Sequence, residues 1–138
     1  MIERAIILSA GQGSRLLPLT RDAPKCLIDF NGRTLLGWQV EALLANGIRD
    51  IVVVTGFRTE RVEDEARELM RRSGATIRTL FNPFFQVADN LGTCWMARGE
   101  MDGDFLILNG DTIVSDAIVD RLLRGARAPL TVTVAVKP

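Results

Sequence analysis

The sequence predicts an α/β fold, a three-layer α/β/α sandwich around a mostly parallel sheet, and three observations predict it. Short continuous apolar runs, Ala5-Ile6-Ile7-Leu8, Ile51-Val52-Val53-Val54 and Phe105-Leu106-Ile107-Leu108, have the length and composition of strands covered on both faces. Segments of helical periodicity separate them, so strand and helix alternate and the crossovers should be right-handed. Each run also ends at a glycine-bearing loop: Ser9-Ala10-Gly11-Gln12-Gly13, Thr55-Gly56 and Asn109-Gly110-Asp111. In such a fold ligands bind outside the carboxyl ends of the strands, where these loops sit.

The elements follow in order. After the first strand and its loop, Pro24-Lys25 leads into Leu27-Ile28-Asp29-Phe30 and the turn Asn31-Gly32, a short hairpin-like element. Leu35, Leu36, Val40, Leu43 and Leu44 recur at helical spacing, and Asn46-Gly47 supplies the stop of this crossover helix. Beyond the second strand, the segment from about Thr59 to Arg72 opens with Thr59 as cap and with Glu60 and Glu63. It closes on Arg71, Arg72 and Gly74, each charge suiting its end of the helix dipole. Thr76 to Phe81 reads as a further strand, and Leu91 to about Met101 as a helix with Trp95 and Met96 in the core. Ser115 caps another helix through Leu123, and Leu130 to Val136, alternating Thr and Val, reads as a last strand. The chain then stops at Lys137-Pro138 with no helix to cover that strand, which suggests an interrupted domain.

Composition narrows the function classes. The 138 residues, 47% of them hydrophobic, are expected to form one soluble domain able to fold without a disulfide or structural metal. With 17 Lys+Arg against 17 Asp+Glu there is no general basic field for a phosphate backbone, which argues against nucleic acid as a partner. No stretch approaches the roughly 18 continuous apolar residues of a membrane span. The first residues, Met1-Ile2-Glu3-Arg4, lack a signal-peptide pattern, so a cytoplasmic location with no membrane partner is expected. Cys26 and Cys94 fall in apolar segments without metal-ligand spacing and read as buried free thiols. The sequence contains no His, so any chemistry must rest on Asp, Glu, Lys, Arg or backbone amides.

The first loop is where that chemistry concentrates. Small residues at Ala10, Gly11 and Gly13 let backbone N–H groups approach phosphate oxygens, and Arg15 offers a planar fork of donors to the same anion. The P-loop pattern fails because no Lys-Ser/Thr pair follows the glycines. The dinucleotide fingerprint fails at Leu16, where its third glycine belongs. Lys25, stiffened by Pro24 and anchored by the hairpin, can return to the same strand end as a point charge opposite the Arg fork.

The run from Ala10 to Leu27, A-G-x-G-S-R-x-x-P-L-T-x-x-x-P-K-C-L, resembles the signature of the nucleotidyltransferases that activate sugar 1-phosphates or phospho-alcohols. Asn82-Pro83 with Asp89-Asn90-Leu91-Gly92-Thr93 resembles the base- and sugar-recognition segment of that family, and Leu108-Asn109-Gly110-Asp111-Thr112 its metal-binding strand end. The resemblance covers nearly the whole chain. It implies a Rossmann-like sheet of the nucleotide-diphospho-sugar transferase type and transfer of a nucleoside monophosphate from a triphosphate to a phosphorylated sugar or alcohol, with release of pyrophosphate. It implies Arg15 and Lys25 as catalytic residues, Leu8, Ala10, Gly11, Gly13, Asn90, Gly92 and Thr93 as nucleotide-binding, and Asp111 as the ligand of Mg²⁺. For Asn90, Gly92 and Thr93, helix capping competes with nucleotide contact. The Pro-Lys-Cys-Leu run favours the phosphocholine-cytidylyltransferase-like branch and CTP, with UTP- or dTTP-dependent transfer to a hexose or N-acetylmuramate 1-phosphate as the alternative. A non-catalytic nucleotide-binding domain of the same fold is a further alternative. Family members are longer and carry a second metal-binding acid and much of the acceptor pocket in their later part. Residues 1–138 are therefore expected to be the nucleotide-binding portion of such a domain.

Overall fold

The computed structural model describes residues 1–132 and Val134. Four strands, β1 (Arg4–Ser9), β4 (Asp50–Thr55), β5 (Thr76–Phe81) and β6 (Phe105–Asn109), form one sheet in the order β5-β4-β1-β6. All neighbours are parallel, with Ile6 paired to Val52 on one side and to Ile107 on the other. The short strands β2 (Asp29–Phe30) and β3 (Arg33–Thr34) pair as the expected hairpin, turning through Asn31 and Gly32. The helices are α1 (Leu35–Ala45), α2 (Thr59–Ser73), α3 (Asn90–Met96) and α4 (Asp116–Gly125).

Alternation along the strands splits the core in two. Ala5, Ile7, Ile51, Val53, Ile77 and Leu106 face the layer of α1, α2 and α4, meeting Leu36, Val40, Leu43, Val62, Ala66, Leu69 and Val119. Ile6, Leu8, Val52 and Val54 face the opposite way, onto Ala97 and the half-buried Cys94, Met101 and Phe105. Both faces of β1 and β4 are thus covered, as their unbroken apolar runs require. Each fully buried aliphatic side chain contributes about 1.5–3 kcal/mol of transfer free energy.

Local chemistry shifts several expected boundaries. Thr59 does not cap α2. Arg58, in a left-handed conformation, occupies that position, because the Thr59 hydroxyl is engaged at 2.6 Å by the hydroxyl of Thr55 at the end of β4. The expected helix to Met101 stops at Met96. The Ala97 amide donates to both Thr93 O (3.3 Å) and Cys94 O (3.0 Å), tightening the chain into a 3₁₀ turn over Arg98–Glu100. Because α3 buries Thr93 and the chain next buries Ala97, Trp95 faces away, 65% exposed, with the Arg98 guanidinium 4.3 Å from its ring centre. Trp95 is therefore not a core residue, and Cys94 is half-buried, unlike Cys26. The strand expected at Leu130–Val136 falls partly outside the described residues, and 130–132 carry no regular element. Among the described residues no helix is long and apolar enough to cross a membrane.

Candidate functional site

Because β1 and β6 are parallel neighbours, the loop after Ser9 and the turn after Asn109 emerge side by side. They are joined where the Gly110 amide donates to Leu8 O at 2.8 Å. The contact is close: a methyl group at Gly110 would lie 2.3 Å from Ser9 Oγ and 2.5 Å from Leu8 O, so only glycine fits. An open cleft of about 170 Å³ lies between the two segments, lined by Leu8, Ser9, Gly11, Gly13, Lys25, Cys26, Asn90, Asn109, Gly110 and Asp111.

The glycine loop is held at its ends. Ala10, itself buried, has its carbonyl capped by the Phe57 amide at 3.0 Å. Gly13 has φ +73°, and a side chain there would meet Lys25 Cε at 2.7 Å, so its glycine character brings the stem of Lys25 across the loop. The fully buried Thr20 closes the loop by donating from Oγ1 to Gly13 O at 2.9 Å, and Gln12 Nε2 donates to Thr20 O at 3.3 Å. At Gly11, by contrast, an added methyl would meet nothing within 4 Å, leaving space above the backbone.

Lys25 stands on the short 3₁₀ turn Lys25–Leu27, and its Nζ reaches Asp111 Oδ2 at 3.3 Å across the cleft. Both side chains keep access to solvent, 26% and 52% exposed, so the pair can part without a large desolvation change. Asn90, the first residue of α3, donates from Nδ2 to Asn109 Oδ1 at 3.3 Å. Burial pushes the Cys26 thiol up to about 12, which keeps it protonated and unreactive at neutral pH although it lines the cleft.

The structure thus gathers Leu8, Gly11, Gly13, Lys25, Asn90 and Asp111 around one cleft. Ala10, between the lining residues Ser9 and Gly11, is buried and is not itself on the lining. Arg15 is exposed on the turn Ser14–Leu16 and does not line the cleft. Gly92 and Thr93 also stand off the lining. The Gly92 amide donates to the α3 cap Asp89, and Thr93 is buried, its Oγ1 accepting from Asn82 Nδ2 at 3.4 Å. Ser9, Cys26, Asn109 and Gly110 join the lining without having been assigned a site role from sequence; Ser9, Cys26 and Gly110 each adjoin a residue that was, and Asn109 lies two positions before Asp111.

The donor set defines what cation the cleft suits. Asp111 is the single carboxylate on its lining, and among the described residues no three His, Cys, Asp or Glu cluster as a metal cage. One carboxylate beside amide oxygens, open to solvent, fits a hard ion that takes its remaining ligands from substrate phosphates and water, as Mg²⁺ does.

Comparison with known proteins decides the family. The nucleotidyl transferase family pattern matches residues 4–138. The chain belongs to that family. Among its relatives, the choline-phosphate cytidylyltransferase of Streptococcus pneumoniae is 32% identical over 104 residues, 75% of this chain and 43% of the relative. A mannose-1-phosphate guanyltransferase of Gibberella zeae is 33% identical over 122 residues, 86% of this chain and 33% of the relative. Among solved structures, the CTP:phosphocholine cytidylyltransferase of Streptococcus pneumoniae superposes with a TM-score of 0.67 at 31% identity, covering 80% of this chain and 46% of that one. The inositol-1-phosphate CTP transferase of T. maritima, at 21% identity and TM-score 0.74 over 86% of this chain and 47% of that one, shows the shared α/β fold alone. The chain therefore spans less than half the length of each of these relatives.

Proposed function

We propose that this chain carries the nucleotide-binding portion of a nucleotidyltransferase that moves a nucleoside monophosphate from a triphosphate to a phosphorylated alcohol or sugar 1-phosphate. The observation that carries this reading is the convergence of Lys25 and Asp111, 3.3 Å apart, over the glycine loop at the carboxyl ends of β1 and β6. CTP with a phospho-alcohol such as phosphocholine is the favoured substrate pair, supported by the likeness to cytidylyltransferases. The guanyltransferase relatives keep a hexose 1-phosphate acceptor with another base as the competing pair.

In the proposed reaction an oxygen of the acceptor phosphate bonds to the α-phosphorus while the bond to the β-phosphate bridging oxygen breaks. Pyrophosphate leaves with that electron pair. The attacking oxygen is already ionised, so a chain without His needs no general base. Its tasks are to hold two anions in line and offset their repulsion. The backbone of Gly11 and Gly13 approaches the triphosphate. Lys25, released from Asp111, places its charge by the α-phosphate, and Asn90 contacts the base or ribose. Asp111 would hold Mg²⁺, which when bound neutralises phosphate charge. Arg15, exposed on its turn and off the cleft lining, would bind the departing pyrophosphate.

The cleft, about 170 Å³, is open to solvent. The test is pyrophosphate release by the intact protein with Mg²⁺ and each of the four triphosphates against phosphocholine and hexose 1-phosphates. One pair should turn over, and Lys25→Ala should cut its rate by at least about a hundredfold. No triphosphate binding, or an unchanged rate in Lys25→Ala, overturns the reading. Binding without turnover would instead indicate a nucleotide-sensing domain.

A further inference from the structure

One side chain outside the cleft lining reaches the turn that carries Asp111. Gln39 lies on α1, fully buried beside Leu36, Val40 and Leu43, where the helical pattern leads to an apolar residue. Its Nε2 donates to Asn109 O and to Thr112 O, both at 2.7 Å. These carbonyls stand on either side of Gly110-Asp111, and the two bonds use both hydrogens of the amide. Its orientation is fixed by chemistry, since a flipped amide would press its oxygen against two carbonyl oxygens. The Gln39 Oε1 meanwhile has no hydrogen-bond partner among the described residues. A buried acceptor left this way is unfavourable. The amide is therefore placed to serve the two carbonyls at the expense of its own full pairing.

We propose that Gln39 is a positioning residue for Asp111, fixing the Asn109–Thr112 turn so that the carboxylate meets metal and phosphate in one orientation. The proposal rests on the reading of Asp111 as the metal-facing carboxylate. The other restraints on the turn are the Gly110 amide on Leu8 O, a 3.4 Å bond from the Thr112 amide to Asn109 O, and exposed contacts of Asn90 with the Asn109 side chain and of Lys25 and Thr112 with the Asp111 carboxylate. Among the described residues, the two Gln39 bonds are the side-chain hydrogen bonds that tie the turn to α1 behind it. Asp111 itself is exposed, and its carboxylate meets the solvent-accessible Lys25 Nζ at 3.3 Å and the neighbouring Thr112 hydroxyl at 3.2 Å, contacts that leave its aim to the backbone of the turn. Removing the clamp should leave the carboxylate present but poorly aimed.

The test uses the intact protein with Gln39→Met, which keeps the length and loses both donors, and Gln39→Glu, which keeps the shape and, protonated by its burial against the two carbonyls, donates to at most one of them. In unsubstituted protein, the Gln39 side-chain amide protons should exchange with solvent at least about a hundredfold slower than those of an exposed glutamine. In either variant, exchange of the Gly110 amide should quicken about tenfold or more. The Kd for Mn²⁺, titrated by its paramagnetic resonance signal onto protein saturated with a non-hydrolysable analogue of the preferred triphosphate, should weaken about tenfold. Analogue affinity without metal should stay within about twofold. Asp111→Asn serves as reference and should weaken Mn²⁺ more. If Asp111→Asn weakens Mn²⁺ binding and a folded Gln39 variant does not, Gln39 is only a core residue and the proposal falls. If neither weakens it, or no triphosphate binds, the reading of Asp111 is what has failed. If neither Gln39 variant folds, the exchange measurement on the unsubstituted protein decides, and rapidly exchanging Gln39 amide protons overturn the clamp.

Discussion

The two ends of the parallel sheet are built on opposite plans. At the amino end, charges pair with one another: Arg4 Nε meets Asp50 Oδ2 at 2.7 Å, Arg4 Nη1 meets Asp102 Oδ1 at 2.9 Å, and Arg78 bridges Asp50 and Glu100 at 3.0 and 2.8 Å. This ties β1, β4 and β5 to the segment that enters β6. At the carboxyl end the ion pair of Lys25 with Asp111 stands over an open cleft, and glycine backbone faces the space. The amino end satisfies its own charge and serves the fold. The carboxyl end keeps charge exposed and exchangeable, as the proposed triphosphate site requires.

The sharpest way to break this contrast is at Asp111. Asp111→Asn should lower pyrophosphate release by at least about a hundredfold while leaving the thermal midpoint nearly unchanged, because an exposed ion pair contributes little to stability. Turnover and melting, measured on the same preparation, separate the two roles. A variant that melts early and still turns over would mean that the carboxyl end, too, is built for the fold.

Much of this contrast was legible in the sequence, for physical reasons that also mark its limits. Unbroken apolar runs of strand length marked β1, β4 and β6, and the loops that end two of them located the cleft; β1 and β4 are covered on both faces as expected, whereas β6 lies at the sheet edge with Ile107 43% exposed. Lys25 and Asp111 are 86 positions apart in sequence and meet only because β1 and β6 pair in parallel register, which residue spacing does not encode. Gln39 left one signal, a polar residue inside an apolar helical stripe, but its partners are backbone carbonyls, which carry no residue identity. Trp95 was misplaced because helical periodicity gives a face and not its direction, and α3 turned Thr93 inward instead. The role expected of Arg15 rests on the motif, since the loop leaves it in solvent.

Gly110 sharpens the comparison by joining the two plans, being both part of the fold and the hinge of the Asp111 turn. Gly110→Ala would force a methyl to within 2.3 Å of Ser9 Oγ and 2.5 Å of Leu8 O. The backbone there must shift, at a cost of about 1–3 kcal/mol. Urea unfolding should show that loss, and triphosphate binding should weaken with it. A methyl at Gly11, which meets nothing within 4 Å, should leave stability within about 0.5 kcal/mol and act on binding alone.

The smallest effect belongs to the amino end and concerns pH. Partial burial raises the pKa of Asp50, but hydrogen bonds from Arg4 and Arg78 outweigh it and hold the carboxyl below its ordinary range. A carboxylate whose folded pKa is depressed stabilises the fold above its unfolded pKa, near 4, and loses that contribution as pH falls through the lower folded value. The side chain is 32% exposed, so screening limits the contribution to about 1 kcal/mol or less. Asp50→Asn should therefore lower the urea midpoint slightly at pH 7, and the difference from the unsubstituted protein should shrink below pH 4. Triphosphate affinity at pH 7 should not change, because the residue lies at the far end of the sheet from the cleft. A substitution there that weakened nucleotide binding without lowering stability would show that the two ends are coupled through the strands.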